Sequence, residues 1–237
     1  MAEQKQRIVS KLVHAENNSS GNSLSDIILG GQDGLVNVLG VILGVAAASS
    51  SIRIVLAGGL AAAFAESISM AAVAYTSNVA ARDFYYGQLK KEKREIVEVP
   101  EIETEEIRQI YREKGFKGKL LEDVVKVITS NEKVWLDTMM LEELKLSPVE
   151  VSRPLGAALI VGLSAITGSL IPLAPFFFLT IQQGIYVSIT ISALTLFVLG
   201  AIKAKFTVGN WGKSGLEIAV IGIVSALAGY GIGFLFT

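Results

Sequence analysis

Apolar residues in this sequence are gathered into long runs that are almost free of charge. Residues 27–52 contain a single charged residue, Asp33, and residues 54–81 contain a single one, Glu66. Each run is long enough to cross the ~30 Å hydrocarbon core of a bilayer at about 1.5 Å per helical residue. The pattern therefore predicts two transmembrane helices joined by a tight turn.

A second apolar region occupies the last third of the chain. Residues 154–202 carry no charge at all, which is too long for one span and fits two helices joined by a short hairpin. Pro172 and Pro175 place the turn between them, because proline interrupts a helix. The predicted spans in this part of the chain are residues 154–174, 181–202 and 214–237.

Between the second and third spans lies the one long polar block. Pro100 and Gly115 divide it into three helical candidates, which cover residues 84–97, 101–114 and 119–146. We therefore predict an all-α membrane protein with five transmembrane helices and a three-helix cytoplasmic domain inserted between helices 2 and 3. The predicted divisions are an N-terminal segment at 1–23, helices 1 and 2 at 24–82, the inserted domain at 83–150, and helices 3 to 5 at 151–237.

Composition supports the membrane class and limits the chemistry. Of the 237 residues, 51% are hydrophobic, and the mean hydropathy is +0.52. The chain has no cysteine and one histidine, His14, so a thiolate or multi-histidine metal site is excluded. Any metal site would be built from carboxylate oxygens and methionine sulfur. No phosphate-binding loop is present, which argues against an ATP-driven pump.

The basic residues predict the orientation. If the N-terminus is cytoplasmic and five spans follow, every one of the 21 lysines and arginines except Arg53 lies on the cytoplasmic side. Cytoplasmic loops are the ones enriched in these residues. We therefore expect the N-terminal segment and the inserted domain to be cytoplasmic.

Two spans carry side chains with possible chemistry. A carboxylate such as Asp33 costs roughly 2.5 to 3.5 kcal/mol at mid-membrane on insertion scales, and such groups usually face an ion pathway. Glu66 and Met70 are four residues apart and so share a helical face. A carboxylate beside a thioether suits a borderline ion such as Fe²⁺. The alternatives are an Asp33 hydrogen-bonded near the membrane surface and a Met70 that only packs in the core.

The polar block contains three further fragments that suggest metal binding. Its paired glutamates are spaced by three, so both carboxylates of a pair lie on one helical face, where a bound cation would relieve their repulsion. An ordinary solvated helix explains the same pairs, and the residues alone leave both interpretations open. The candidate ligands are Glu92, Glu95, Glu103, Glu106, Met139, Met140 and Glu143.

The chain resembles the vacuolar iron transporter family over most of its length. The resemblance is carried by the segment DIILGGQDGL at residues 26–35, by SISMA at residues 67–71, and by the glutamate- and methionine-bearing insert between spans two and three. Five helices with a cytoplasmic insert is also the plan of that family.

The resemblance implies a function and a set of roles. Such proteins are dimeric, proton-coupled antiporters that export Fe²⁺ from the cytosol, and some also move Mn²⁺; Zn²⁺ and Co²⁺ are further candidate ions. Asp33 and Met70 would then line the path at the dimer interface, and the seven candidate ligands of the insert would collect metal. We expect no enzymatic activity and no nucleic-acid partner. The expected location is the cell membrane of a prokaryote or the vacuolar membrane of a eukaryote.

The sequence departs from the family pattern at two acidic positions. Family members have a pathway glutamate eight residues before the methionine of the second span, where this chain has Ala62. Glu66 lies one helical turn later, which preserves the face of the helix. An acidic position eleven residues before the first-span aspartate is Asn22 in this chain.

Two rival functions remain on the residues alone. Paired glutamates on helices also build di-iron centres, so a membrane-anchored iron-storage or ferroxidase-like protein is one alternative. Those centres usually contain Glu-x-x-His, and the insert has no histidine. A membrane interaction or sensor protein is the other alternative, but it leaves Asp33 and Glu66 unexplained.

Overall fold

The structure is a computed structural model that describes residues 19–147, 154–206 and 209–236. All regular secondary structure in these ranges is helical, with no strand among them. The prediction of an all-α protein is confirmed. Residues 1–18, with His14 and most of the predicted N-terminal segment, lie outside the described residues.

Eight α-helices occur in the described residues, together with a π-helix and a 3₁₀ turn. The α-helices are α1 (Ser19–Ala48), α2 (Ile52–Glu98), α3 (Pro100–Glu113), α4 (Gly118–Thr129), α5 (Glu132–Thr138), α6 (Pro154–Leu173), α7 (Ile181–Phe206) and α8 (Trp211–Phe234). The π-helix, Met139–Glu143, follows α5 directly, and the 3₁₀ turn, Ala174–Phe177, follows α6.

Five of these helices are long and apolar enough to cross a membrane by length and composition: α1, α2, α6 with its 3₁₀ turn, α7 and α8. The five predicted spans are therefore confirmed as helices of that kind. The second helix is much longer than its span. At 47 residues it measures about 70 Å, against a hydrocarbon core of roughly 30 Å. Its apolar part ends before Arg82, and charged residues follow to its end.

The chain divides into two compact units. The first, which we call the bundle, comprises Met1–Tyr75 and Leu155–Thr237, and the second, the inserted unit, comprises Thr76–Pro154. The start of α2 belongs to the bundle, and the rest of this helix belongs to the inserted unit. The membrane carboxylates and the glutamate-rich fragments therefore lie in different units.

Helix α1 lies at the centre of the bundle. Leu39, Ile42 and Leu43 are fully buried in a core that also contains residues of α2, α6 and α8. Glycines let neighbouring backbones approach this helix closely, since a Cβ at Gly229 of α8 would lie only 2.8 Å from the Cα of Gly40. Such contacts between small residues are typical of helices packed in lipid. They fix the position of α1, the helix that carries Asp33, against α8.

The inserted unit has its own apolar core. Ile107 of α3, Val125 of α4, and Trp135 and Met139 near the end of the unit are buried together with Ile96 of α2. The apolar positions of α3 and α4 follow the helical repeat, so each helix buries one face and leaves its charged face exposed. This packing brings α2, α3 and the π-helix together.

The single helix predicted over residues 119–146 is not observed. The structure breaks it at Ser130 and Asn131, where the Asn131 side chain accepts hydrogen bonds from the backbone N–H groups of Lys133 (3.0 Å) and Val134 (3.2 Å). Asparagine is a favoured N-cap, because its side-chain oxygen satisfies the first free N–H groups of a helix. A new helix, α5, therefore begins there, and it ends in the π-helix.

Candidate metal sites

Two membrane helices place polar side chains opposite each other in the bundle. The Asn37 side-chain nitrogen Nδ2 on α1 donates a 3.0 Å hydrogen bond to Oε1 of Glu66 on α2. The carboxyl of Asp33, on the same face of α1, is close enough to interact electrostatically with that of Glu66. The structure thus brings together Asp33 and Glu66, two residues that the sequence marked separately.

Helical spacing explains how this arrangement forms. Asp33 and Asn37 are four residues apart on α1, and Glu66 and Met70 are four apart on α2, so each pair occupies one face of its helix. Asn37 is exposed on the bundle surface, and the other three are half-buried. Ala62, one turn before Glu66, packs instead against the apolar core.

Sequence reasoning did not identify Asn37 as a functional candidate. The signal was available, because an asparagine one turn beyond Asp33 stands in an otherwise apolar span. What the sequence lacked was the rotation of α1 relative to α2, which decides that Asn37 faces Glu66.

The glutamates of the inserted unit form two overlapping clusters. Carboxylate oxygens of Glu92, Glu95 and Glu103 lie within 4.8 Å of one another, and so do those of Glu103, Glu106 and Glu143. Glu103 belongs to both. The pairs predicted on α2 and α3 therefore converge with a residue of the π-helix, and all five glutamate candidates meet in one region of the unit.

Glu103 is the most unusual member of these clusters. Its side chain is 4% exposed, and its oxygen Oε2 has no hydrogen-bond partner among the described residues. Buried carboxylates are normally paired, because leaving one unpaired is costly. Burial raises the pKa of Glu103 to about 7, and the nearby carboxylates of Glu106, Glu92, Glu143 and Glu95 add to the shift.

Two other glutamates of the clusters, Glu143 and Glu92, differ in their electrostatic surroundings. Removal from water raises the pKa of Glu143 to about 7, with the neighbouring carboxylates of Glu106 and Glu92 contributing. Glu92 is 2% exposed, but it has a cationic neighbour: the Nζ atom of Lys91 lies 3.6 Å from Glu92 and 3.0 Å from Glu95. Lys91 therefore partly neutralises the negative charge of the cluster formed by Glu92, Glu95 and Glu103.

The two methionine candidates lie on the π-helix. Met139 and Met140 are both fully buried, and Met139 packs in the apolar core of the inserted unit. The Leu144 N–H donates to the Met139 carbonyl at 3.2 Å, the i to i+5 bond that defines a π-helix. Short π-helical segments occur frequently at functional sites. This one ends at Glu143, the residue that joins the second cluster.

The inserted unit offers carboxylate oxygens as ligands for divalent cations. Its carboxylates are close enough to share an ion, carry more negative charge than Lys91 compensates, and include a buried oxygen without a partner. The bundle offers a smaller oxygen set, formed by Asp33, Glu66 and the amide of Asn37. Both sets suit cation binding.

Comparison with known proteins agrees with these features. Residues 24–234 match the model of the VIT family. The chain is 34% identical over 206 residues to vacuolar iron transporter 1 of Tulipa gesneriana, covering 86% of this chain and 83% of that protein. It is 34% identical over 215 residues to vacuolar iron transporter 1 of Oryza sativa subsp. japonica, with 90% and 85% covered.

A more distant relative matches over a similar length. Protein CCC1 of Saccharomyces cerevisiae is 27% identical over 216 residues, covering 87% of this chain and 67% of that protein. The five apolar helices and these relatives identify an integral membrane protein, and the names of the plant relatives are those of transporters rather than enzymes. The resemblance seen in the sequence is confirmed, and the chain belongs to the VIT family.

Proposed function

We propose that this protein exports Fe²⁺ from the cytosol across the membrane in exchange for protons, and that Mn²⁺ is a second substrate. The observation that carries the proposal is the pairing of Asp33 with Glu66 on adjacent helices of an apolar bundle. Ionisable side chains inside a membrane are expensive, and they mark ion pathways and proton relays. The names of the relatives, vacuolar iron transporter, support iron as the ion.

The paired carboxyls provide a route to exchange. A divalent cation held by Asp33 and Glu66 needs both carboxyls in the ionised form, whereas a proton binds to the same oxygens. Proton and metal therefore compete for the same oxygens, which couples entry of one to release of the other. Met70, one turn from Glu66, would add a soft sulfur ligand, which suits a borderline ion such as Fe²⁺ better than it suits Mg²⁺.

We assign the inserted unit to the cytoplasm and to metal collection. Its ligands would be Glu92, Glu95, Glu103, Glu106, Met139, Met140 and Glu143. The buried, unpartnered oxygen of Glu103 supports this role, because a cation would supply the missing partner. Zn²⁺ and Co²⁺ are further ions that such an oxygen and sulfur set can accept.

A homodimer accounts for the exposure of the polar groups in the bundle. Asn37 is exposed, and Asp33 and Glu66 are half-buried on the surface of an apolar unit. In a monomer these groups would face lipid, which cannot hydrogen-bond to them. A second copy of the chain that covers this face would enclose a polar path between the subunits.

Flux into proteoliposomes tests the proposal. Purified protein is reconstituted, and entry of Fe²⁺ is followed under anaerobic conditions with and without an imposed pH gradient, for the wild type and for Asp33→Asn. We expect gradient-stimulated entry that is lost in the variant. Absence of flux for Fe²⁺, Mn²⁺ and Zn²⁺, with metal still bound by the protein, would overturn transport in favour of storage or sensing.

A further inference from the structure

We propose that Asn37 is a positioning residue, which holds the carboxylate of Glu66 beside Asp33 and so completes the cation site of the bundle. The inference rests on the proposed function, because it concerns the same membrane path. It stands on one contact between helices, the 3.0 Å hydrogen bond from Nδ2 of Asn37 to Oε1 of Glu66.

The contact decides where the Glu66 carboxylate lies. Glutamate has a long side chain with several rotamers, and fixing one of them costs conformational entropy. Asn37 stands one turn from Asp33 on the same face of α1. A carboxylate that accepts from Asn37 is therefore kept at the level of Asp33, within reach of its carboxyl.

The chemistry of asparagine suits this task better than that of its neighbours in size. Its amide donates a hydrogen bond without adding charge, so Asp33 and Glu66 together supply two negative charges, which balance one divalent cation. An aspartate at position 37 would add a third negative charge, and a leucine would donate nothing. The carbonyl oxygen of the amide also remains as a neutral ligand at the same site.

The arrangement places the carboxylate of α2 at Glu66 rather than one turn earlier, at Ala62. Ala62 packs against the apolar core, so no carboxylate is available on that turn of α2. Glu66 provides the carboxylate one turn later, and Asn37 is the residue of α1 that meets it there. Asn37 and Glu66 thus act as a pair.

Four variants test the pair in proteoliposomes: Asn37→Leu, Glu66→Asp, the double variant, and Glu66→Gln. Asn37→Leu removes the donor, and Glu66→Asp keeps the charge but shortens the side chain by one methylene, which breaks the same contact. For Asn37→Leu and for Glu66→Asp we expect the KM for Fe²⁺ to rise about tenfold, as for loss of a hydrogen bond to a charged group, with a smaller change in maximal rate. We expect the double variant to be no worse than either single one, because both changes remove one interaction.

The controls separate a local role from a structural one. Thr190→Val removes a hydrogen bond that stays within α7, from Thr190 Oγ1 to the Tyr186 carbonyl at 2.8 Å, and should leave KM unchanged. Each variant must elute as the wild type does on gel filtration, and Asn37→Ala replaces Asn37→Leu if leucine disturbs packing.

The outcomes distinguish the two levels of the proposal. Additive effects of Asn37→Leu and Glu66→Asp, or an unchanged KM in Asn37→Leu, would overturn the positioning role while leaving transport intact. Undiminished flux in Glu66→Gln would instead remove Glu66 from the path, and the proposed function would then fail at this residue.

Discussion

Glu103 is the residue on which the proposed metal chemistry of the inserted unit depends most. It is the only glutamate shared by the two carboxylate clusters found in the described residues, and one of its oxygens is buried without a partner. A protein that retains such a group accepts a cost in stability. The cost is understandable if a cation fills the position.

Replacing Glu103 by glutamine should therefore separate binding from folding. The substitution keeps the shape but removes the charge from both clusters at once. We expect the affinity of the full-length protein for Mn²⁺, measured by isothermal titration calorimetry, to fall at least about tenfold, in line with losses seen when metal-site residues are removed. The metal-free protein should be as stable as the wild type, or more so, at neutral pH.

Glu113→Gln is the matched control for this substitution. Glu113 is an exposed residue of α3 whose Oε1 accepts a hydrogen bond from Gln109 at 3.3 Å, outside both clusters. The Glu113→Gln protein should bind Mn²⁺ with the affinity of the wild type. Equal losses in the two variants would show that α3 carries only diffuse negative charge.

The raised pKa values predict how the metal-free inserted unit responds to pH. The pKa of Glu103 and that of Glu143 are about 7 in the folded chain, above the ordinary value of 4.5. Between these limits the folded state holds protons that the unfolded state has released, so the free energy of unfolding decreases as pH rises from about 4.5 to 7. Metal binds the ionised carboxylates, so its affinity and its stabilising effect should rise over the same range.

Tryptophan fluorescence can measure this response. The chain has two tryptophans, and Trp211→Phe leaves Trp135, which is buried in the core of the inserted unit. Its thermal transition should shift to lower temperature between pH 5 and pH 7.5 without metal, and Mn²⁺ should reverse the shift most strongly at the higher pH. A transition that rises with pH in the metal-free protein would contradict the assignment.

At the scale of the elements, close backbone contacts fix α1 within the bundle. Gly229→Ala places a methyl group 2.8 Å from the Cα of Gly40, a separation that requires the helices to move apart. We expect the variant to lose roughly 1 to 3 kcal/mol of stability, as overpacked cores do. The measurement is the unfolding temperature of the detergent-purified protein.

Gly231→Ala is the control on the same helix. A Cβ at Gly231 would meet nothing within 4 Å, so this variant should unfold with the wild type. Equal unfolding temperatures for the two variants would contradict the claim that the Gly229–Gly40 contact is needed to pack α8 against α1.

The elements also show how far the sequence could be interpreted. Long apolar runs with at most one or two charges predict the five helices, because a helix satisfies all of its own backbone hydrogen bonds in lipid. Gly115 follows α3 with φ +98°, in agreement with the helix end predicted there. The break at Asn131 was missed because apolar residues such as Val127, Ile128 and Val134 continue the helical repeat across it.

The clustering of the glutamates in space could not be predicted from local sequence patterns. Spacing puts Glu92 beside Glu95 on one helix, but nothing in the sequence tells that the same oxygens approach Glu103 and that Glu143 joins from the π-helix. These positions depend on the packing of the apolar core between α2, α3 and α4. The Asn37–Glu66 contact depends in the same way on the rotation of α1.

At the scale of the whole molecule, the basic residues predict that the inserted unit is cytoplasmic. The chain has no cysteine, so a single introduced cysteine reports its own location. Ser50→Cys lies in the exposed turn between α1 and α2, and Lys117→Cys is exposed between α3 and α4. In intact cells expressing the protein in the plasma membrane, a membrane-impermeant maleimide should label the first and not the second until the cells are opened. The reverse pattern would contradict the proposed orientation.

The two units have separate proposed roles, collection of metal in one and its exchange for protons in the other. The central claim concerns the second role, because collection without exchange would amount to storage. Both carboxyls of the Asp33–Glu66 pair must be ionised to hold a divalent cation. Transport should therefore move protons against the direction of the metal.

Simultaneous recording of metal and proton movement tests this claim most directly. Proteoliposomes loaded with one dye for Fe²⁺ and another for pH are given external Fe²⁺ under anaerobic conditions, with the wild type and with Asp33→Asn. We predict that Fe²⁺ entry is accompanied by a rise in internal pH and that both signals disappear in the variant. Fe²⁺ entry with no change in internal pH, or at an equal rate in Asp33→Asn, would contradict the account.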